Sequence, residues 1–318
     1  DMTPKELQSQ LQQGNRRALA KAITLIESTA QADAAAAEAL LTGLMPQTGK
    51  ALRIGVSGIP GVGKSTFIEA FGSYLIEQGH KLAVLAVDPS SPVSGGSIMG
   101  DRTRMEKLSS HPQAFIRPSP TSGSIGGVAR KTRESILACE AAGFDIVMVE
   151  TVGVGQSEVL VSSMVDTFLI LQMPHTGDEL QGIKKGIIEL ADIVAVTKAD
   201  GSTATGAKRM QKSLEQALHL VRGKEDWLPP VLLCSAVEQK GLSEIWNQIQ
   251  KFTAQQKKSG AYQDRRQRQT DQWFEDELSD QLKRYISGQD LRQIRQQVQA
   301  GKLPPAKAAR DVIQSIVR

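Results

Sequence analysis

The sequence predicts an α/β fold: a doubly wound, mostly parallel sheet, preceded by helices and followed by a helical arm. Three observations predict it. Short apolar runs rich in β-branched residues recur from residue 51 onward, helical stretches separate them, and the runs stop near residue 257. Strands buried on both faces of a parallel sheet read as near-continuous apolar runs. Their alternation with helices implies right-handed crossovers.

Residues 3–48 read as helices. Thr3 and Glu6 have capping-box spacing ahead of Leu7 and Leu11. Asn15 suits an N-cap, with Leu19, Ala22, Ile23 and Ile26 on one face of the helix it opens. The Ala-rich stretch 30–44 predicts a third helix, and Pro46 and Gly49 close this segment. The apolar runs lie at 52–56, 82–87, 146–149, 168–171, 193–196 and 231–233, with helices expected at 64–78, 126–142, 182–190, 203–221 and 241–256. Residues 257–272 are polar and Gln/Arg-rich, like a linker or a solvated helix. Beyond them, narrow stripes such as Phe274, Leu278 and Leu282 need a surface on the main domain or on another subunit. The expected organisation is an N-terminal helical segment (1–50), a nucleotide-binding domain (51–256) and a C-terminal helical arm (257–318).

Formal net charge is +4 over 318 residues, and the stretch from Lys251 onward holds 14 Lys/Arg against 8 Asp/Glu. The basic excess therefore sits in the tail, which argues against nucleic acid as a partner of the whole chain. No run of about 18 apolar residues exists, so no membrane span is expected, and no signal peptide is read at the start. Cys139 and Cys234 both fall inside apolar runs. Two buried thiols suggest a reducing compartment, the cytoplasm or, for a eukaryotic source, the mitochondrial matrix.

Gly58-Ile59-Pro60-Gly61-Val62-Gly63-Lys64-Ser65 matches G-x-x-x-x-G-K-[ST] between an expected strand and an expected helix. The glycines let successive N–H groups face phosphates. Lys64 is expected to reach the β- and γ-phosphates, Ser65 to ligate magnesium, and the helix starting at Lys64, with Thr66 in its first turn, to add its positive end. Thr197-Lys198-Ala199-Asp200 follows the run 193–196 and resembles the [NT]-K-x-D guanine motif. Asp200 can accept from guanine N1–H and the 2-amino group. Adenine offers neither donor, so an unpaired carboxylate disfavours ATP. The stem of Lys198 can lie over the base. Thr197 replaces the commoner Asn and is expected to weaken one supporting side-chain bond. Ser235-Ala236-Val237, after the run 231–233, fits the fifth GTPase motif, whose backbone N–H meets guanine O6. Each of these strings is weak alone. Their order, each at the carboxyl end of a strand, makes them mutually supporting.

Glu150-Thr151-Val152-Gly153 ends the run 146–149, where a P-loop NTPase places its second carboxylate. Glu150 reaches further than Asp and is expected to bind magnesium through water. The Gly153 N–H can meet a γ-phosphate, which makes 152–158 a natural switch. Asp88 and Asp101 are two further carboxylates that can approach magnesium. Their bland alternatives are a turn cap and a surface charge, respectively. In Ras-like proteins the residue after this glycine is a water-orienting Gln. Here it is Val154, so slow unassisted turnover is expected, and Gln156 is the nearby amide in sequence. The segment 174–185, with Lys184 and Lys185, is a third expected mobile segment.

Longer strings carry a more specific resemblance: Gly61-Val62-Gly63-Lys64-Ser65-Thr66, Val87-Asp88-Pro89-Ser90-Ser91, Gly95-Gly96-Ser97-Ile98-Met99-Gly100-Asp101-Arg102-Thr103-Arg104-Met105, Glu150-Thr151-Val152-Gly153-Val154-Gly155-Gln156-Ser157-Glu158 and Gln181-Gly182-Ile183-Lys184-Lys185-Gly186. With these the chain resembles the methylmalonyl-CoA mutase-associated GTPases of the MeaB/ArgK type. The resemblance implies a GTPase chaperone that binds GTP or GDP with Mg2+ and does not itself bind cobalamin. It implies gating of adenosylcobalamin loading, from an adenosyltransferase, onto methylmalonyl-CoA mutase or a related acyl-CoA mutase, and protection of that mutase. It further implies a homodimer formed through the C-terminal arm, Ser65 and Asp101 as magnesium ligands with Asp88 and Glu150 around the metal, and switches at 153–158 and 177–185. Two alternatives are a metal-delivery GTPase, which the lack of Cys-x-x-Cys and His-rich tracts disfavours, and an ATP-dependent kinase of a transport system, which Asp200 disfavours.

Overall fold

The computed structural model describes residues 2–88, 105–118, 125–152, 157–174 and 185–317. Three helices open the chain: α1 (Pro4–Gln12), α2 (Arg16–Glu27) and α3 (Gln31–Leu44). The capping box forms as its spacing predicts, with Glu6 N–H donating to Thr3 Oγ1 at 3.3 Å and Thr3 N–H to Glu6 Oε2 at 2.8 Å. Asn15 Oδ1 caps α2 by accepting from Arg17 N–H and Ala18 N–H.

The next elements are β1 (Leu52–Ser57), α4 (Lys64–Glu77), β2 (Leu82–Val87), α5 (Glu106–Ser110), β3 (Ala114–Arg117), α6 (Ile125–Ala141) and β4 (Ile146–Thr151). They are followed by α7 (Ser157–Ser162), β5 (Thr167–Gln172), α8 (Lys185–Leu190), β6 (Ile193–Val196), α9 (Ala204–Arg222), β7 (Val231–Leu233) and α10 (Leu242–Ser259). Helices α11 (Ala261–Ser287), α12 (Arg292–Gln299) and α13 (Pro305–Val317) close the chain.

Among the described residues seven strands pair in parallel, in the order β3-β2-β4-β1-β5-β6-β7. Strand β3 has no counterpart among the six apolar runs. It is four residues long and ends in Arg117, so its own sequence carries little strand signal, and pairing with β2 creates it. The polar stretch 257–272 resolves in favour of helix: most of it lies in the last turn of α10 and the first turns of α11.

Side chains alternate across the sheet and feed two cores. Ile54, Val56, Val84, Met148, Leu169 and Leu171 pack with Phe67, Phe71 and Leu75 of α4 and Ile245, Trp246 and Ile249 of α10. Val147, Val149, Phe168 and Ile170 face the other way, into a core with Ile136 and Ala138 of α6. Leu11, Leu19, Ile23, Leu40 and Leu44 extend that core, so α1–α3 are part of it and not an appendage. Gly55 is needed in β1 because a Cβ there would sit 2.7 Å from the Phe168 ring and 2.8 Å from Val161.

The chain divides into two compact units, residues 1–270 and 271–318, the division falling inside α11. No helix among the described residues is long and apolar enough to cross a membrane.

Candidate nucleotide site

The topology sets where a site can form. From β1 the chain runs outward to β2 and β3, returns to β4, then crosses β1 to β5, so strand order reverses around β1. Ligands in open α/β sheets bind outside the carboxyl ends of strands at such a reversal. Residues 58–63 leave β1 at that point and enter α4 at Lys64.

Gly61 and Gly63 have φ of +85° and +88°, the left-handed region that side chains disfavour. Gly58 is required for a different reason: a Cβ there would lie 2.7 Å from Val62 Cγ1 and 3.2 Å from the Leu171 carbonyl oxygen. Val62 is fully buried and anchors the loop to the α4-side core. Lys64 Nζ donates to the carbonyl oxygen of Thr151 at the end of β4. The loop lysine and the third motif are thus in direct contact. Thr151 Oγ1 in turn meets Ser57 Oγ at 3.1 Å, beneath the start of the loop.

Register places the acidic residues. Glu150 lies opposite Val56 of β1 and Ala86 of β2. By alternation Glu150 and Asp88 fall on the face of the sheet that carries α4, whose first turn holds the buried Ser65. Glu150 is itself buried. A hydroxyl and carboxylates are hard oxygen donors of the kind magnesium prefers, so this set fits the ion. Asp101, Gly153 and Gln156 lie outside the described residues, as do Val154 and Lys184.

The base-recognition strings converge although they are 35 residues apart. Ser235 Oγ donates to Asp200 Oδ2 and fixes that carboxylate. Ala199 N–H donates to Cys234 O at 3.0 Å, tying the two strand ends together. The loop after Ser235 is itself closed, by reciprocal bonds of 3.0 Å between Ser235 and Lys240 and by Glu238 N–H to Ser235 Oγ. Val237 stands out of this loop at 84% exposure. Glu238 pairs with Lys240 at 2.7 Å; its hydrogen bond and charge raise the lysine's pKa, with a smaller contribution from Asp200. Cys234, buried just before Ser235, is pushed up to about 12 by burial and stays a thiol.

Thr197, which stands where Asn is commoner, places its hydroxyl 2.8 Å from Val62 O and 3.1 Å from Gln172 O. Lys198, at a left-handed φ of +57°, sends Nζ to Gly61 O at 3.0 Å. Thr203 was not singled out from sequence. Its hydroxyl bonds Lys198 O and Asp200 O and holds the turn between them. A hydroxyl three residues after Asp200 is the signal that points to it.

A family model described as "Methylmalonyl Co-A mutase-associated GTPase MeaB" matches residues 19–290. The chain belongs to the MeaB family of GTPases. This MeaB-family chain is 50% identical to "GTPase ArgK" of Escherichia coli, over 87% of its own length and 85% of the relative's. It is 46% identical to "Methylmalonic aciduria type A homolog, mitochondrial" of Mus musculus, over 94% of its length and 76% of the relative's. A solved structure described as an LAO/AO transport system kinase superposes with TM-score 0.77 at 40% identity, covering 99% of this chain and 98% of the other. As a member of this family the protein binds guanine nucleotide and hydrolyses GTP.

Proposed function

We propose that this protein is a GTP-dependent chaperone of an adenosylcobalamin-dependent acyl-CoA mutase, gating cofactor loading and protecting the loaded enzyme. The observation that carries the reading is the family match over 19–290, in which the mutase is part of the family's description. The mouse relative's name, which refers to methylmalonic aciduria, supports the same partner. Methylmalonyl-CoA mutase is therefore the first candidate, with an adenosyltransferase as cofactor donor. A reducing compartment is the matching location, as cytoplasm or mitochondrial matrix.

In this reading each site residue has a role. Gly61, Val62, Gly63, Lys64, Ser65 and Thr66 bind the phosphates. Thr197, Lys198, Asp200, Ser235, Ala236 and Val237 form the guanine pocket. Ser65, Asp88, Asp101 and Glu150 would hold magnesium, which would supply positive charge to offset that of the phosphates. Lys64 exchanges the Thr151 carbonyl for phosphate oxygen when nucleotide enters. That exchange frees the peptide two residues before Gly153, so nucleotide occupancy is felt where the switch begins. With Val154 in the position that orients water in Ras-like proteins, unassisted hydrolysis is slow, and the partner or Gln156 completes the site.

The C-terminal unit fits a homodimerisation arm. Phe274, Leu278, Leu282 and Tyr285 recur on one face of α11 and are all exposed.

The test is co-purification of the full chain with candidate cobalamin-dependent mutases, with GTP hydrolysis measured alone and with each. We expect a stable complex and faster turnover with one of them. No complex and no stimulation with any would reject the chaperone role while leaving GTP hydrolysis intact.

A further inference from the structure

Beside β3, the edge of the sheet and three strands from β1, a half-open pocket of about 220 Å³ lies between the sheet and α6. Leu85, which packs into the α6-side core, lines it and places it on the face opposite the one that carries Glu150 and Asp88. Its other walls include Glu27 at the end of α2, Arg117 at the end of β3, and Lys131, Thr132 and Ser135 of α6.

Lys131 is 4% exposed, and among the described residues no carboxylate, carbonyl or ring meets its ammonium. The neighbouring carboxylate is already paired: Glu27 accepts from Arg117 Nε at 3.3 Å and from Nη2 at 2.9 Å. Arg117 Nη2 also donates to Thr24 Oγ1 at 3.2 Å. Those two charges cancel, and Lys131 leaves the pocket positive. The hydroxyls do not answer that charge. Thr132 Oγ1 donates to Val128 O at 2.8 Å and Ser135 Oγ to Lys131 O at 2.7 Å, so each has given its single hydrogen to its own helix.

A charge withdrawn from water and given no counter-charge is costly, and a bound anion removes that cost. The three N–H groups of Lys131 Nζ, with Arg117 Nη1, which bonds none of the described residues, suit several oxygen acceptors on one centre. A volume this small admits one such group and not a nucleotide, since pockets for drug-sized ligands start at about 300 Å³. We propose that this pocket is a second anion site, which takes a single phosphate-type oxyanion on the sheet face opposite Glu150 and Asp88.

The experiment titrates inorganic phosphate into the full chain by calorimetry, with the nucleotide site filled by GDP and magnesium and ionic strength held constant with sodium chloride. The wild type, Lys131→Met and Lys131→Gln are compared. The wild type is expected to bind phosphate, and both variants should weaken it at least about tenfold, the scale of a hydrogen bond to a charged group. In phosphate-free buffer Lys131→Met should unfold at a urea midpoint no lower than the wild type's, because it removes an uncompensated buried charge. Phenyl phosphate separates two sources of the same group: if it binds as well, the site takes the end of a larger ligand, and if only inorganic phosphate binds, it takes the free ion. The proposal is overturned if the wild type binds no phosphate, or if all three proteins bind it equally, which would put the ion at the nucleotide site. A lower midpoint for both variants without phosphate would show that the ammonium is satisfied within the chain, and would equally overturn it.

Discussion

At the residue scale, the clearest chemistry sits on Lys64. In the proposed site its ammonium, which donates to the Thr151 carbonyl, turns to the charged oxygens of the triphosphate. Charge-assisted hydrogen bonds are about twice as strong as neutral ones, which makes the exchange favourable. Removing the ammonium takes away stabilisation of charge that develops on the transferred phosphoryl group. Lys64→Ala is expected to lower GTP hydrolysis by at least about a hundredfold. A phosphate-release assay at saturating GTP checks this, and retention of near-normal turnover would contradict the role. Lys64, Asp200 and Ser235 were all singled out in the sequence, because their motifs are short, and the fold brings Ser235 onto Asp200. Thr203 was not singled out, because its value lies in which carbonyls it meets after folding.

At the scale of elements, carboxylates line the amino-terminal ends of the strands. Glu140 accepts from Gly49 and Ala51 N–H, Asp166 from Arg53 N–H, Asp192 from Phe168 N–H and Asp145 from Lys81 N–H. These donors have no strand partner at the start of a strand, so the side chains supply what the ladder cannot. The first turns of α11 then dock on this row. Arg266 makes paired bonds of 2.6 and 2.7 Å to Asp166 and also reaches the carbonyls of Gly49 and Ala51. Burial works against the Arg266 charge, and the Asp166 carboxylate outweighs it. Tyr262, beside them, is pushed up to about 12 by burial and then by the Asp166 charge. For Asp192, burial raises the pKa while Arg265, at 3.0 Å, pulls the other way. Breaking such a pair from one side leaves a buried charge. Arg266→Ala should therefore cost about 3 kcal/mol of stability, read as a lower urea midpoint with an unchanged slope. A loss below about 0.5 kcal/mol, the range of ordinary surface changes, would show that the pair does not anchor α11. None of this row was anticipated from sequence. Isolated Asp and Glu residues before apolar runs read as surface charge until the neighbouring strand is known.

At the scale of the whole molecule, the N-terminal helices complete the core of the α6 side, whereas Phe274, Leu278, Leu282 and Tyr285 of α11 are exposed. Four large apolar side chains on one helical face need a partner surface. If that surface is a second copy, Leu278→Glu should convert a dimer into a monomer in light scattering, because a charge at the centre of the stripe is desolvated on pairing. A mass unchanged by the substitution, whether dimeric or monomeric, would remove α11 as the dimer contact.

The alternation of apolar runs with helices, the helix caps at Thr3 and Asn15, and the phosphate-loop and guanine strings follow from short-range order. Backbone sterics, periodic burial and the donor–acceptor character of a few neighbouring residues are enough to specify them. Strand β3, the closing of Ser235 onto Asp200 and the clip from Thr197 to Val62 depend on folding. Each joins groups far apart in the chain, and a hydrogen bond across 135 positions has no local signature. Its partners become neighbours only once the strands have taken their order in the sheet.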